Sequence, residues 1–178
     1  MMDIITSPLA NWPATAVHAL IQEVYASSDA MSEAFEDKFP DIEAFVQQRQ
    51  GWLAMPGAVA LVAHEADTLL GYILLMPRRQ ARLSHTADLT MGVHPAARGK
   101  GVGRQLLEGA LQAARAQGLL EIAYLMVRAD NTAAVKLYEA AGFTRLALLE
   151  RDTRRDGRYY DGLLMRHWLR PPSDGASR

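Results

Sequence analysis

The sequence predicts one α/β domain of the α+β type, in which a mixed, largely antiparallel twisted sheet is flanked by helices and contains a central parallel strand–helix–strand unit. Two observations carry this prediction. After residue 57, short apolar runs typical of strands are interrupted by two segments with helical periodicity. The length of 178 residues, 49% of them hydrophobic and 22% charged, suits a single globular domain with a sizeable core. We expect this domain to cover residues 1–170 and the tail, residues 171–178, to be disordered.

The first fifty residues are predicted to be mainly helical. After Trp12 and Pro13, apolar residues recur at the spacing of one helix face. A second helical stretch, residues 32–49, contains Pro40, so we expect it to break into two pieces with Asp41 capping the second. The apolar residues of the first helix are Val17, Leu20, Ile21, Val24 and Tyr25.

Two apolar runs, residues 58–63 and 69–76, then predict a buried hairpin, because only a short, mainly polar segment separates them. Residues 87–93 form the next predicted strand. After this strand, His94 and Pro95 turn the chain into a glycine-rich loop.

A helix is predicted from about Val102 to Gln117, since its apolar residues form one stripe and Gly118 is a typical left-handed helix end. Residues 122–127 follow as an unbroken apolar run, typical of a strand that is covered on both faces. The unit from 87 to 127 should therefore be a right-handed parallel crossover.

A short helix capped by Asn131 and ended by Gly142 comes next. Residues 143–149 and 159–168 are the last two predicted strands, and a polar hairpin joins them. Because both hairpins of the chain pair their strands antiparallel, the sheet as a whole is predicted to be mixed.

Composition excludes several classes of site. The chain has no cysteine, so it has no disulfide, thiolate zinc site or cysteine nucleophile. Its five histidines show no metal-ligand spacing, and we expect no metal. No basic segment precedes an apolar one at the start, and no 18 apolar residues run uninterrupted, so we expect a cytoplasmic protein with no membrane partner.

Charge is distributed unevenly along the chain. Residues 1–50 carry eight acids against two bases, whereas residues 76–104 carry six bases against one acid. The basic stretch could hold an anion. Binding of nucleic acid through this stretch conflicts with the acidic first segment and with a formal net charge of −1, so we expect no nucleic-acid partner.

The segment from Arg98 to Arg104 is the sharpest local feature, because it places glycines between a strand end and a helix start. Glycine lets backbone N–H groups approach a ligand, and the helix start adds unpaired N–H groups, which together suit a phosphate or pyrophosphate. The spacing of Gly99, Gly101 and Gly103 fits neither a Walker loop nor the dinucleotide fingerprint.

This segment resembles the pyrophosphate loop of the GNAT superfamily of N-acetyltransferases. Residues 89–103 are similar to that family's strand, turn and Arg/Gln-x-x-Gly-x-Gly/Ala loop, residues 131–143 to its second signature, and residues 156–165 to its closing strand. The resemblance covers roughly residues 58–168 and implies an acyl-CoA N-acyltransferase domain.

The resemblance implies that acetyl-CoA, the co-substrate, lies between the strand that ends at Val93 and the strand of residues 122–127. Backbone groups of the first strand would hold its pantetheine arm and the loop amides its pyrophosphate. The implied cofactor-binding residues are Met91, Gly92, Val93, Arg98, Gly99, Lys100, Gly101, Val102, Gly103, Arg104, Asn131 and Tyr138.

The implied chemistry is attack of an amine on the thioester carbonyl. A strand amide near Met91 would stabilise the oxyanion, and Tyr138 would act as the acid for the leaving thiolate. A protonated amine also needs a base or a chain of waters, for which Asp88 is the candidate, beside His85 and Glu150. Without the resemblance, Tyr138 would be a core residue and Asn131 only a helix cap.

We therefore predict an N-acetyltransferase that moves an acetyl group from acetyl-CoA directly to a primary amine of a small molecule or peptide. The alternative is a non-catalytic module that binds CoA or acyl-CoA as a sensor with the same fold. The acceptor's identity is not readable from the sequence, and the chain is expected to be a monomer or a homodimer.

Overall fold

The computed structural model describes residues 3–172, which form five helices and one seven-stranded sheet. Part of the tail that is predicted to be disordered, residues 173–178, lies outside the described residues. The helices are α1 (Ala14–Ala26), α2 (Phe35–Lys38), α3 (Ile42–Ala54), α4 (Val102–Gln117) and α5 (Thr132–Ala140). The strands are β1 (Ile5–Pro8), β2 (Val59–Glu65), β3 (Thr68–Pro77), β4 (Thr86–Val93), β5 (Ile122–Arg128), β6 (Thr144–Arg155) and β7 (Arg158–Trp168).

The sheet has the strand order β1-β2-β3-β4-β5-β7-β6. Strands β4 and β5 pair parallel, and every other neighbouring pair is antiparallel. The parallel pair follows from α4, which carries the chain from the end of β4 back to the start of β5. The predicted mixed sheet with a central strand–helix–strand unit is confirmed.

Helices cover the two faces of the sheet unequally. The core under α4 and α5 extends across β2, β3, β4, β5 and β7, and the apolar stripe of α4 points into it as predicted. Helix α4 ends at Gly118, whose φ of 69° is left-handed. The residues of the stripe are Val102, Leu106, Leu107, Ala110, Leu111 and Ala114.

The opposite face carries α1, α2 and α3, which pack an aromatic cluster against β2 and β3. Pro40 separates α2 from α3, and the carboxylate of Asp41 accepts a hydrogen bond of 2.7 Å from the N–H of Ala44, which confirms the predicted break and cap. The rings of the cluster belong to Phe35, Phe39, Phe45 and Trp52.

The expectation that residues 122–127 are covered on both faces is wrong for the face of α1. Ala123, Leu125 and Val127 are buried under α4 and α5, but Met126 on the other face is 45% exposed. The reason is that α1, α2 and α3 pack over β2, β3 and β4 and leave β5 uncovered.

Two further features differ from the prediction. The edge strand β1 is not predicted, because four residues that end in a proline carry no strand pattern. The other edge strand, β6, continues to Arg155 instead of ending at residue 149, and its pairing with β7 is irregular between Leu149 and Thr153. Within residues 3–172, no helix has the length and apolar character needed to span a membrane.

Candidate active site

A cleft opens in the middle of the sheet, where β4 and β5 separate. Their pairing extends from Thr86 opposite Ile122 only as far as Asp88 opposite Tyr124. Beyond this point, the edge of β4 that faces β5 pairs with no other strand among the described residues, and a cleft of about 880 Å³ lies between the two strands. This is the separation that the resemblance implies.

The glycine loop forms one end of this cleft. Gly99 and Gly101 have φ values of 72° and 84°, a left-handed conformation that L side chains rarely adopt. A Cβ atom added at either position would meet nothing within 4 Å, so the loop backbone is open to the cleft. Because α4 begins at Val102, the N–H groups of its first turn lack partners inside the helix and add a positive dipole end.

The basic side chains of the loop do not act alike. Arg98 donates hydrogen bonds to the carbonyl of Val93 (3.1 Å) and the hydroxyl of Ser27 (2.7 Å), and so ties the loop to β4 and to the end of α1. Arg104 lines the cleft and lies 3.8 Å from Glu108. Lys100 does not line the cleft, although the resemblance places it among the cofactor-binding residues.

Tyr138 and Asn131 stand in the wall of the cleft on the α5 side. The Tyr138 side chain is 8% exposed and packs against Phe143, with ring centroids 5.8 Å apart. Burial raises the pKa of Tyr138 to about 12, so its hydroxyl stays protonated at neutral pH. Asn131 caps α5 by accepting a hydrogen bond of 3.3 Å from the N–H of Ala134.

The structure does not bring Asp88 into the cleft. Its carboxylate accepts two hydrogen bonds from Arg78, at 3.0 and 2.7 Å, and this pairing raises the pKa of the Arg78 guanidinium. His85 and Glu150 also lie outside the lining of the cleft. Tyr138 therefore lines the cleft, but none of the three residues that the sequence offers for deprotonating an amine does so.

Sequence reasoning missed a group of charged residues in the lining of the cleft. They come from the loop between α1 and α2, from the end of α2, from the end of β5 with the residues that follow it, and from β6. Arg128 donates a hydrogen bond of 3.0 Å to the carbonyl of Asp29, lies 3.4 Å from the Asp29 carboxylate and pairs with Asp130 at 2.6 Å. Lys38 pairs with Glu33 at 2.7 Å. No motif signals these residues, because they meet only in the folded chain.

The charged residues of the lining fall into two groups. We call residues 98–104 with Asn131 and Tyr138 its glycine-loop side, where Arg98 and Arg104 are the charged residues of the lining. We call the remaining charged residues of the lining its acidic side, where four carboxylates and two cations give a formal charge of −2. The residues of the acidic side are Asp29, Glu33, Lys38, Arg128, Asp130 and Asp152.

Comparison with known proteins adds independent findings. The sequence model described as the Acetyltransferase (GNAT) family matches residues 22–143. This match begins within α1 and ends just after α5, so it includes the glycine loop and the parallel strand pair.

Three relatives illustrate the range of similarity. The N-alpha-acetyltransferase RimI of Mycobacterium tuberculosis is 38% identical over 110 residues, which cover 59% of this chain and 64% of RimI. The L-methionine sulfoximine/L-methionine sulfone acetyltransferase of Salmonella typhimurium is 28% identical over 148 residues, 80% of this chain and 84% of that protein. A phosphinothricin acetyltransferase from Sinorhizobium meliloti, solved in complex with acetyl-CoA, superposes with a TM-score of 0.81 at 19% identity and covers 98% of this chain and 94% of that one.

Some curated relatives are much longer than the part that matches. The chain spans 27%, 64% and 33% of the length of three of them, the uncharacterized protein ML0378 of Mycobacterium leprae, RimI and a mycothiol acetyltransferase of Renibacterium salmoninarum. The shared region, 109 to 117 residues, is thus the length of one domain.

Proposed function

The chain belongs to the Acetyltransferase (GNAT) family, and from this premise we propose that it moves an acetyl group from acetyl-CoA directly to a primary amine of a small molecule or peptide. The observation that carries the proposal is the cleft between β4 and β5, which joins the glycine loop, an unpaired strand edge and a buried tyrosine in one cavity. We also propose that the domain extends over residues 1–170 and acts in the cytoplasm as a monomer or homodimer.

The residues of the glycine-loop side fit the shape and charge of acetyl-CoA. Its pyrophosphate would bind the N–H groups from Gly99 to Arg104, where the absence of side chains at two glycines leaves room for it. A Cβ at Gly103 would meet Leu137 at 3.2 Å, so α4 begins in close contact with α5 and no side chain intrudes between them. The carboxamide of Asn131 would add a contact beside its role as a cap.

The free edge of β4 would hold the pantetheine arm through backbone groups of Met91, Gly92 and Val93. A pantetheine arm carries two amides, which can pair with a strand edge much as a neighbouring strand does. This edge pairs with no strand among residues 3–172, so its hydrogen-bonding groups face the cleft.

The reaction breaks the C–S bond of the thioester and forms a C–N bond. The amine nitrogen attacks the carbonyl carbon, and an amide of β4 near Met91 would donate to the developing oxyanion. Tyr138 would then donate its proton to the departing sulfur, since the raised pKa keeps this hydroxyl protonated. The nitrogen loses a proton when the amide forms, and this proton returns the tyrosinate to the neutral hydroxyl form.

The acceptor must reach the cleft with an unprotonated nitrogen. An alkylamine with a pKa of about 10.4 is almost fully protonated at pH 7, and Asp88 does not line the cleft to take its proton. We propose that water in the open cleft accepts this proton in place of Asp88, whose carboxylate is held by Arg78.

The test has two stages. Thermal unfolding is measured with acetyl-CoA, and with NAD and ATP as controls. A ligand that binds only the folded chain adds about 2.7 kcal/mol at a hundredfold excess over its Kd, which should raise the Tm by roughly 5 to 10 °C. Release of free CoA is then followed with a thiol reagent, to which this cysteine-free chain adds no background.

A Tm shift with acetyl-CoA alone, followed by amine-dependent release of CoA, supports the transferase. A shift without release from any of a broad set of amines and peptides supports the alternative, a CoA-binding sensor. No shift at millimolar acetyl-CoA contradicts both.

A further inference from the structure

Building on the proposed transfer reaction, we propose that the acceptor carries a second positive charge besides its reacting amine. Asp152 is the specificity-determining residue that pairs with this charge. The sequence gives no sign of this role, because Asp152 lies between Arg151 and Thr153 on an exposed edge strand. The assignment comes from where the irregular part of β6 places its carboxylate.

A bulge in β6 directs Asp152 towards the cleft. Leu149 pairs with Gly162 and Thr153 with Tyr160, so three residues of β6 stand opposite Asp161 alone. The bulge is held by a hydrogen bond of 2.8 Å from the Arg151 N–H to the Asp161 carboxylate. Arg151 itself has a φ of 55°, a strained value for a residue with a side chain.

The carboxylate of Asp152 lies directly over Gly162. A Cβ atom at this glycine would meet the Asp152 Oδ2 atom at 2.5 Å, so only a residue without a side chain permits the arrangement. Gly162 pairs with Arg128 of β5 and shares its face of the sheet, and Arg128 reaches across to Asp29 in the loop after α1. Asp152 thus lies on the α1 face of the sheet.

Tyr138 and the glycine loop belong to the other face. Tyr138 and Val102 pack in the core under α4 and α5, whereas Thr90 and Met126 line the cleft on the α1 face. A cofactor held on the glycine-loop side would therefore meet an acceptor that enters from the α1 face, past Asp152.

Asp152 has no ion-pair partner among the described residues, although Arg128 lies on the same face of the sheet. Arg128 is shared by Asp29 and Asp130, and among residues 3–172 no ion pair within 4.0 Å includes Asp152. The guanidinium of the neighbouring Arg151 lies over the ring of Tyr159, 3.9 Å from its centroid. A cationic group in the cleft would complete this site.

The position suits a second charge better than the reacting amine. A carboxylate in contact with an ammonium favours the protonated form, which cannot attack the thioester. Gly162 stands opposite Arg128, two residues and about 7 Å along β5 from Met126, where the cleft opens next to Thr90. Asp152 can therefore bind the far end of an acceptor and leave the near amine free to lose its proton.

The test compares three acceptors of the same chain length: a five-carbon diamine, a five-carbon monoamine and a five-carbon ω-amino acid. Release of CoA is measured for the unmodified chain and for Asp152→Asn and Asp152→Lys. Asp156→Asn is the matched control, since Asp156 is an exposed carboxylate on the same hairpin that does not line the cleft. Binding of each acceptor to the CoA-saturated protein is measured by calorimetry alongside.

We expect the unmodified chain to prefer the diamine to the monoamine by at least tenfold in kcat/KM. Asp152→Asn should abolish most of this preference by raising KM for the diamine, and it should leave kcat/KM for the monoamine unchanged. Asp152→Lys should instead raise kcat/KM for the amino acid above that for the diamine. Asp156→Asn should keep the original preference.

Equal use of diamine and monoamine by the unmodified chain would overturn the proposal. So would an Asp152→Asn variant that loses activity equally with all three acceptors, because a purely structural role predicts that result. If no acceptor is acetylated but calorimetry still shows diamine binding that depends on Asp152, the proposed transfer fails and the assignment of Asp152 stands.

Discussion

The two sides of the cleft are built in different ways. The glycine-loop side comes from one continuous stretch of chain, in which a strand, a loop, a helix and a strand follow one another and end at the cap and first turns of α5. The acidic side is assembled from the loop after α1, the end of α2, the end of β5 and a bulge in β6. One side thus depends on local chain geometry, and the other on tertiary contacts between distant segments.

The difference extends to the groups that each side offers. The glycine-loop side presents backbone N–H groups and a strand edge, which are groups that can bind a phosphate and amides whatever side chains surround them. The acidic side presents carboxylates and two paired cations, and a single substitution of an acid by a base would remove its formal charge of −2. This contrast suggests that the first side serves a common donor and the second selects an individual acceptor.

The largest effect should come from the hydroxyl group of Tyr138. Tyr138→Phe keeps the ring that packs on Phe143 and removes only the proposed acid, so kcat should fall by about 10²- to 10⁴-fold. The Kd for acetyl-CoA, measured by calorimetry, should stay within about twofold. If turnover persists at the original rate, the glycine-loop side binds acetyl-CoA but supplies no acid from Tyr138.

A smaller effect, about 100-fold, is expected from pH. With water as the proton acceptor, kcat/KM for an alkylamine should rise about tenfold per pH unit from pH 7 to about pH 9. Burial raises the pKa of Tyr138 to about 12, so the acid form persists across this range and no descending limb should appear below about pH 11. If Tyr138 had the ordinary tyrosine pKa near 10, it would lose its proton above about pH 10, and kcat/KM would decline there.

The pH profile is measured at constant ionic strength with the five-carbon monoamine, which has a single titrating group. A plateau near neutral pH would contradict water as the acceptor and point to a base in the cleft. The same profile for Asp88→Asn should overlay the original, because Asp88 lies outside the cleft lining.

The glycine loop can be tested with two matched glycines. Gly101 and Gly157 have φ values of 84° and 76°, and a Cβ at either would meet nothing within 4 Å. Alanine at each therefore costs a similar backbone strain, about 1 kcal/mol, but only Gly101 faces the cleft. Gly101→Ala should weaken binding of acetyl-CoA by about tenfold, and Gly157→Ala should leave its Kd unchanged.

Equal Kd values for these two variants would show that the loop does not contact the pyrophosphate. The comparison is sharp because both variants should lower the Tm by a similar amount. A difference in Kd then cannot be attributed to a general loss of stability.

The two sides also differ in how much of their structure the sequence predicts. The helix stripe of α4, the caps at Asp41 and Asn131 and the glycine loop are local patterns, and the structure has them where they were expected. Strand β1 is too short to carry a pattern and exists because β2 pairs with it. The bulge that turns Asp152 over Gly162 depends on register between two strands, and no spacing within one strand reveals it.

For Asp88, the sequence predicts the strand position but not the partner of the side chain. The sequence places this carboxylate on the central strand, which is correct, but its partner Arg78 is the residue that follows β3. The hydrogen bonds between them use both carboxylate oxygens. A local sequence pattern does not predict that Arg78 holds the Asp88 side chain outside the cleft.

The smallest expected effect concerns Asn131, which belongs to the glycine-loop side and also caps α5. Asn131→Ala removes both the cap and the carboxamide, and should cost about 1 kcal/mol of stability, read from urea unfolding, together with some affinity for acetyl-CoA. Asn131→Ser keeps a capping oxygen but lacks the amide group, so its stability should stay close to the original. If its Kd for acetyl-CoA nevertheless rises severalfold, as in the alanine variant, then the carboxamide contacts the cofactor. A serine variant with the original Kd would instead assign Asn131 to the helix alone, and the glycine-loop side would then bind acetyl-CoA through its backbone without this side chain.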